Sequence, residues 1–125
     1  KHAVPFLVAR RRGTVVGIDS LGGRVGLPGS AAYAASKWGL RGLLESAALE
    51  LKPHRVRVSL VAPHNMNSDG RPIAPDGPER DRNLETADVA ALVAFLCTAP
   101  DHVSFGNVTV WPLATGIRAR EWATD

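Results

Sequence analysis

Apolar and polar positions follow two periods along this chain, and the changes of period divide it into elements. Pro5 to Arg12 carries apolar residues at helical spacing and reads as the last turns of a helix that begins before Lys1. Arg10-Arg11-Arg12 closes it, since cations favour the negative end of a helix dipole, and Gly13 follows as a natural stop. Thr14-Val15-Val16-Gly17-Ile18 is a short β-branched run, the pattern of a strand buried on both faces. Leu21 to Gly29 is a loop carrying Gly22, Gly23, Gly26, Pro28 and Gly29. Ser30 is a candidate N-cap for a helix from Ala31 to about Lys52, with an apolar stripe of Leu40, Leu43, Leu44, Ala47, Ala48 and Leu51. Pro53 ends that helix.

Arg57-Val58-Ser59-Leu60-Val61 predicts a second strand. From Ala62 to Asn83 the chain is rich in Pro and Gly and has no period, as expected of a lid or binding loop. Thr86 is the expected cap of a third helix, Ala87 to about Ala99, whose inner side is Val89, Leu92, Val93, Phe95 and Leu96. Val108-Thr109-Val110-Trp111 predicts a third strand, and the tail from Pro112 to Asp125 has no clear period. Strands alternating with helices imply right-handed crossovers and a parallel α/β sheet of about three strands with flanking helices.

The 125 residues amount to about one ordinary domain. With 45% hydrophobic and 22% charged residues the composition is globular. No apolar run approaches the roughly 20 residues that span a bilayer, so no membrane partner is expected. The first residues lack an initiator Met and a signal-peptide layout, and one cysteine excludes an internal disulfide framework; a cytoplasmic location is the expectation. The net charge of +3 invites a nucleic-acid reading, but the remaining arginines are scattered and do not interleave with aromatics, so no nucleic-acid partner is expected.

Tyr33-Ala34-Ala35-Ser36-Lys37 puts a phenol and an ammonium four residues apart near the start of the long helix, on one face and within mutual reach. A cation beside a phenol favours the tyrosinate form, which suits proton transfer. Ser20 lies thirteen residues before Tyr33, at the carboxyl end of the first strand, where parallel sheets present functional groups. The glycine-rich loop between them lets Ser20 and Tyr33 converge on one substrate atom.

With these features the sequence resembles the short-chain dehydrogenase/reductase family. The matching segments are Gly13 to Ser20, Tyr33 to Lys37, Val61-Ala62-Pro63, Asp88-Val89-Ala90 and Val108 to Pro112. The resemblance implies a partial Rossmann-like, doubly wound parallel sheet. It also implies an NAD(P)-dependent oxidoreductase interconverting a small-molecule carbonyl and alcohol, with either NAD or NADP as cofactor. Tyr33 would be the general acid/base, Lys37 would hold the nicotinamide ribose, and Ser20 would hydrogen-bond the reacting oxygen. Pro63, Met66 and Ser68 would occupy the positions that cradle the nicotinamide. The long helix 31–52 would pair with a second copy, making a homo-oligomer.

Departures from the family pattern set further expectations. His64 stands where Gly is usual and reads as a partly exposed loop imidazole. Gly17 and Asp19 replace a common Asn and Ser; the Asp19 carboxylate either faces away from the site or tunes substrate choice. The family's glycine-rich phosphate cradle has no counterpart in these residues, and its further catalytic Asn would fall before Lys1. Residues 1–125 are therefore expected to be the C-terminal half of one domain, binding the dinucleotide poorly by themselves. The alternative is a catalytically silent fragment or oligomerisation module of the same fold. Cys97 reads as a small buried hydrophobe, and the four histidines share no metal-ligand spacing, so no metal is expected. Trp38 is either a dimer contact or core, and Trp122 either packs on a neighbouring subunit or hangs free.

Overall fold

The computed structural model of the chain describes residues 2–26, 28–68, 73, 74, 77 and 79–115. Helix α1 (Val4–Arg10) leads into strand β1 (Gly13–Ile18), helix α2 (Ala31–Leu51) and strand β2 (Val56–Pro63). Two short strands, β3 (Met66–Asn67) and β4 (Leu84–Glu85), precede helix α3 (Thr86–Thr98) and strand β5 (Asn107–Val110). The main sheet has the order β1-β2-β5, and both pairings are parallel. A smaller parallel pair joins β3 to β4.

Strand alternation sends successive side chains to two separate cores. On one face Leu51, Val56 and Val58 are buried, with Val15, Leu44, Ala48 and Leu7 packed against them. On the other, Val61, Leu84, Val89 and Leu96 are buried, with Val16, Met66, Leu92, Val93 and Phe105 around them. Neighbouring residues of β1, Val15 and Val16, thus serve α2 and α3 respectively, as helices on both faces of a parallel sheet require. At Gly17 the Leu44 side chain fills the place where a Cβ would stand, bringing α2 against β1.

Arg57 is the charged exception in β2. Its Nη1 donates to the carbonyls of Ala99 (2.7 Å), Pro100 (3.1 Å) and Val103 (3.2 Å), and Nη2 to that of Cys97 (3.3 Å). Its Nε donates to Thr14 Oγ1 at 3.1 Å, so one guanidinium ties β1, β2 and the end of α3 together. Ser59 Oγ donates to the Phe105 carbonyl at 2.6 Å from the same strand.

Several local expectations are corrected. The Arg triplet does close α1, but the left-handed cap falls on Arg11 (φ 49°), two residues before Gly13. Ser30 occupies the cap position of α2 without a side-chain capping bond. Helix α3 starts at Thr86 itself; Glu85 is its cap, and the Glu85 and Asp88 side chains bond each other's backbone N–H in a capping box. Leu43 is 66% exposed and Phe95 56%, so neither belongs to its helix's inner face, although the Phe95 ring leans on Phe105. Cys97 is exposed rather than buried. The Ala62–Asn83 stretch is not wholly a loop, since β2 runs to Pro63 and β3 pairs with β4. Trp111 lies just past β5, and Trp122 is outside the described residues.

Candidate active site

The carboxyl ends of the three parallel strands meet at one edge. Ile18 is level with Val61, and Pro63 with Val110. The ladder continues one residue past β1, where the Asp19 N–H donates to the Val61 carbonyl at 2.7 Å. Ser20 comes next, extended at φ −159° and ψ 163°, and caps a single 3-10 turn, Leu21–Gly23. Its Oγ accepts from the Gly22 N–H at 3.2 Å, leaving the hydroxyl proton free to be donated elsewhere.

Gly22 is where Ser20 and Tyr33 meet. A Cβ placed on it would stand 2.9 Å from Tyr33 Cε1 and 3.8 Å from Ser20 Oγ, so the ring lies on the glycine and the hydroxyl beside it. Only a residue without a side chain permits that approach. Tyr33 is 50% exposed, on the first turns of α2, and its carbonyl accepts from Ser36 Oγ at 2.7 Å. One turn further, Lys37 Nζ lies 5.7 Å from the centre of the Tyr33 ring and donates to the Ile18 carbonyl at 2.9 Å. The lysine thus clamps α2 to the end of β1. Two of its three N–H donors remain for other acceptors.

Pro63 is buried at the end of β2 on this same edge. Met66 pairs with Leu84 and packs towards the α3-side core, and Ser68 is exposed. The structure therefore gathers Ser20 and Tyr33 around Gly22, with Lys37 between the Tyr33 ring and the end of β1. It places Pro63 on the same sheet edge, while Met66 and Ser68 stand further along the chain with no bond to the trio. His64 is a partly exposed loop imidazole, as expected. Its ring stacks on Trp111 with centroids 4.7 Å apart and planes 26° apart, and burial lowers its pKa. Trp111 carried no signal in the sequence beyond ending an apolar run; the parallel register makes it the neighbour of His64. Among the described residues no three His, Cys, Asp or Glu side chains cluster as a metal site would need. A groove of about 470 Å³ lined by Ala48, Leu49, Lys52, Val56, His102 and others lies at the opposite end of the sheet.

Two features of the trio fit a nicotinamide dinucleotide: the spare ammonium donors of Lys37 suit ribose hydroxyls, and the half-exposed phenol of Tyr33 stands at the strand ends. A parallel sheet wrapped by helices, with a tyrosine and a lysine one turn apart at its carboxyl edge, defines the class: a dinucleotide-type α/β protein. The comparisons name the family. The short chain dehydrogenase family model matches residues 1–75, and the chain belongs to that family. It is 37% identical over 112 residues to trans-4-hydroxycyclohexanecarboxylate dehydrogenase of Sinomonas cyclohexanicum, covering 84% of this chain and 40% of that protein. It is 38% identical over 116 residues to a 3-oxoacyl-(acyl-carrier-protein) reductase of Thermotoga maritima, covering 84% and 46%. A metagenomic short-chain oxidoreductase solved in complex with NADP is 44% identical, with a TM-score of 0.64 over 86% of this chain and 42% of that one. Serine dehydrogenase from Escherichia coli shares the fold, with a TM-score of 0.77 at 22% identity over 93% and 47% of the two chains. The chain thus spans less than half the length of the sequence relatives named here. Among the described residues no helix is long and apolar enough to cross a membrane.

Proposed function

We propose that this chain supplies the acid/base part of an NAD(P)-dependent oxidoreductase that interconverts a carbonyl and an alcohol on a small molecule. The observation that carries the reading is the meeting of Ser20 and Tyr33 across Gly22, with Lys37 bridging Tyr33 to the end of β1. Tyr33 moves the proton: its phenol donates to the carbonyl oxygen in reduction and takes the proton back in oxidation. Ser20 donates a hydrogen bond to the same oxygen and stabilises the charge that develops there. Lys37 holds ribose hydroxyls with its spare N–H donors and places positive charge beside the phenol. Pro63, Met66 and Ser68 follow the end of β2 and would line the nicotinamide. A bound nicotinamide supplies the hydride.

The phosphate cradle of the family has no counterpart in the 125 residues, so we assign the dinucleotide's pyrophosphate to a different part of the domain. Trp38, Leu43 and Leu49 are more than half exposed along α2, and the positions beside Gly39 and Gly42 are open. We assign that surface to self-association with a second copy. The relatives' names describe enzymes, which weighs against a silent module.

The test is NAD(P)H oxidation across a panel of ketones and aldehydes by the protein that carries this chain, with Tyr33→Phe as control. Turnover of one or more carbonyls that Tyr33→Phe abolishes supports the reading. Equal turnover in the variant sinks the acid/base role.

A further inference from the structure

The groove of about 470 Å³ at the amino end of the main sheet takes no part in the site of Tyr33. It opens between the last turns of α2, the start of β2 and the chain entering β5. Its lining divides by exposure. Ala48, Val56 and Val103 are buried or half-buried, whereas Lys52, Arg55 and His102 are exposed. Among the described residues none of those three exposed side chains makes a hydrogen bond or ion pair. The other charges of the lining are engaged: Arg57 donates to four carbonyls and to Thr14, and Asp101 lies 3.6 Å from Arg12.

The fold gathers positive charge at this end, although the residues are scattered in the sequence. All three strands run parallel, so their amino ends share one edge. Arg10, Arg11 and Arg12 precede β1, Lys52 and Arg55 precede β2, and His102 precedes β5. Arg11 Nη2 donates to the Pro53 carbonyl at 3.5 Å, which brings the end of α1 against the end of α2. Arg55 holds a left-handed backbone at φ 59°, which glycine adopts freely and a residue with a Cβ does not. A cationic side chain thus occupies a position whose backbone suits glycine better, and strained positions of this kind gather at binding sites.

We propose that this groove binds a small amphipathic anion, a carboxylate or phosphate monoester carried on a hydrocarbon body. The apolar base of Ala48, Val56 and Val103 takes the hydrocarbon, which gains by leaving water. Lys52 and Arg55 meet the head group at the rim, Arg55 with a planar fork of donors that matches a carboxylate or phosphate. The volume falls within the roughly 300–1,000 Å³ of small-ligand sites. A neutral hydrocarbon would leave the cations without a partner, and a bare inorganic ion would leave the apolar base wet. Only a ligand with both parts answers the whole lining. The groove lies at the end of the sheet opposite Tyr33, so the proposal stands apart from the acid/base reading.

The test is calorimetric titration of the protein that carries this chain with octanoate, octyl phosphate, 1-octanol and inorganic phosphate. The expected result is one octanoate or octyl phosphate per chain, bound at least about tenfold more tightly than octanol or inorganic phosphate. Whichever of the two anions binds more tightly identifies the head group. Octanol binding as tightly as both anions overturns the proposal, and so does the absence of saturable binding by either anion at millimolar concentration. Two variants locate the site. Arg55→Gly removes a rim cation where the backbone suits glycine, so the thermal midpoint holds or rises. Gly106→Leu adds bulk to the lining at a place where nothing stands within 4 Å of a Cβ. Each variant should weaken anion binding by about tenfold or more, and unchanged affinity in either overturns the site. Should one fail to fold, Lys52→Gln replaces it, with about threefold weaker binding expected and unchanged affinity overturning the site. Leu49, shared with the self-association surface, is left unsubstituted throughout. The last arm is sedimentation with phosphatidylglycerol vesicles. Capture by the vesicles without binding of either monomeric anion assigns the charge to a membrane surface and overturns the small-ligand site.

Discussion

The two ends of the main sheet are built on opposite plans. At the amino end, Arg57 places its guanidinium against four carbonyls and the Thr14 hydroxyl, tying β1, β2 and the end of α3 together. At the carboxyl end, the Asp19 carboxylate and Nε and Nη2 of Arg24 are sealed without hydrogen-bond partners among the described residues, a tyrosine stands half exposed, and a glycine is pressed under its ring. Local rules of satisfaction are met at one end and broken at the other, and such breaks gather where a fold does chemistry. The amino end holds the sheet together; the carboxyl end is where side chains are placed at a cost to stability.

The comparison can be broken at either end. The largest effect belongs to Tyr33→Phe, which should lower turnover by about 10² to 10⁴-fold while leaving the thermal midpoint in place. A large loss of stability with it would show the ring to be structural. Arg57→Met should do the opposite, costing about 2–4 kcal/mol in urea denaturation with turnover per folded molecule unchanged. Gly22→Ala sharpens the contrast, because the new methyl would stand 2.9 Å from the Tyr33 ring and must displace it. We expect about tenfold lower kcat and under about 1 kcal/mol of destabilisation. The smallest effect concerns His64, whose imidazole is held below its ordinary pKa by burial. As pH falls below about 6.5 the unfolded chain takes up a proton before the folded one does, so stability is full above that pH and declines below it. At this partly exposed ring the decline should be small, and it should be absent in His64→Asn.

Much of this was legible in the residues, for reasons that also explain the misses. β-branched runs and a long amphipathic stretch gave β1, β2, β5 and α2 to within a few residues, because burial on both faces leaves little room for polar positions. The placement of Ser20 after β1 and of Tyr33 and Lys37 one turn apart on α2 was legible because helical spacing and strand ends are local facts. Cys97 and Phe95 flank the buried Leu96 in sequence but not in space. A helix turns about 100° per residue, and the inner face of α3 passes through Val89, Leu92, Val93 and Leu96, leaving Phe95 and Cys97 outside. Leu43 misleads in the same way beside Leu44. The β3–β4 pair was illegible, since two-residue strands have no period. The seal on the Asp19 carboxylate was illegible too, because it depends on how Gly23 lies against it.

That small β3–β4 pair has a consequence of its own. By joining Met66–Asn67 to Leu84–Glu85 it ties the chain after β2 to the start of α3, and Met66 and Leu84 both pack in the α3-side core. The residues numbered between β3 and β4 include none of Ser20, Tyr33 and Lys37, so they can be substituted without altering that trio. For directed evolution of a new specificity, that is the stretch of this chain to randomise first.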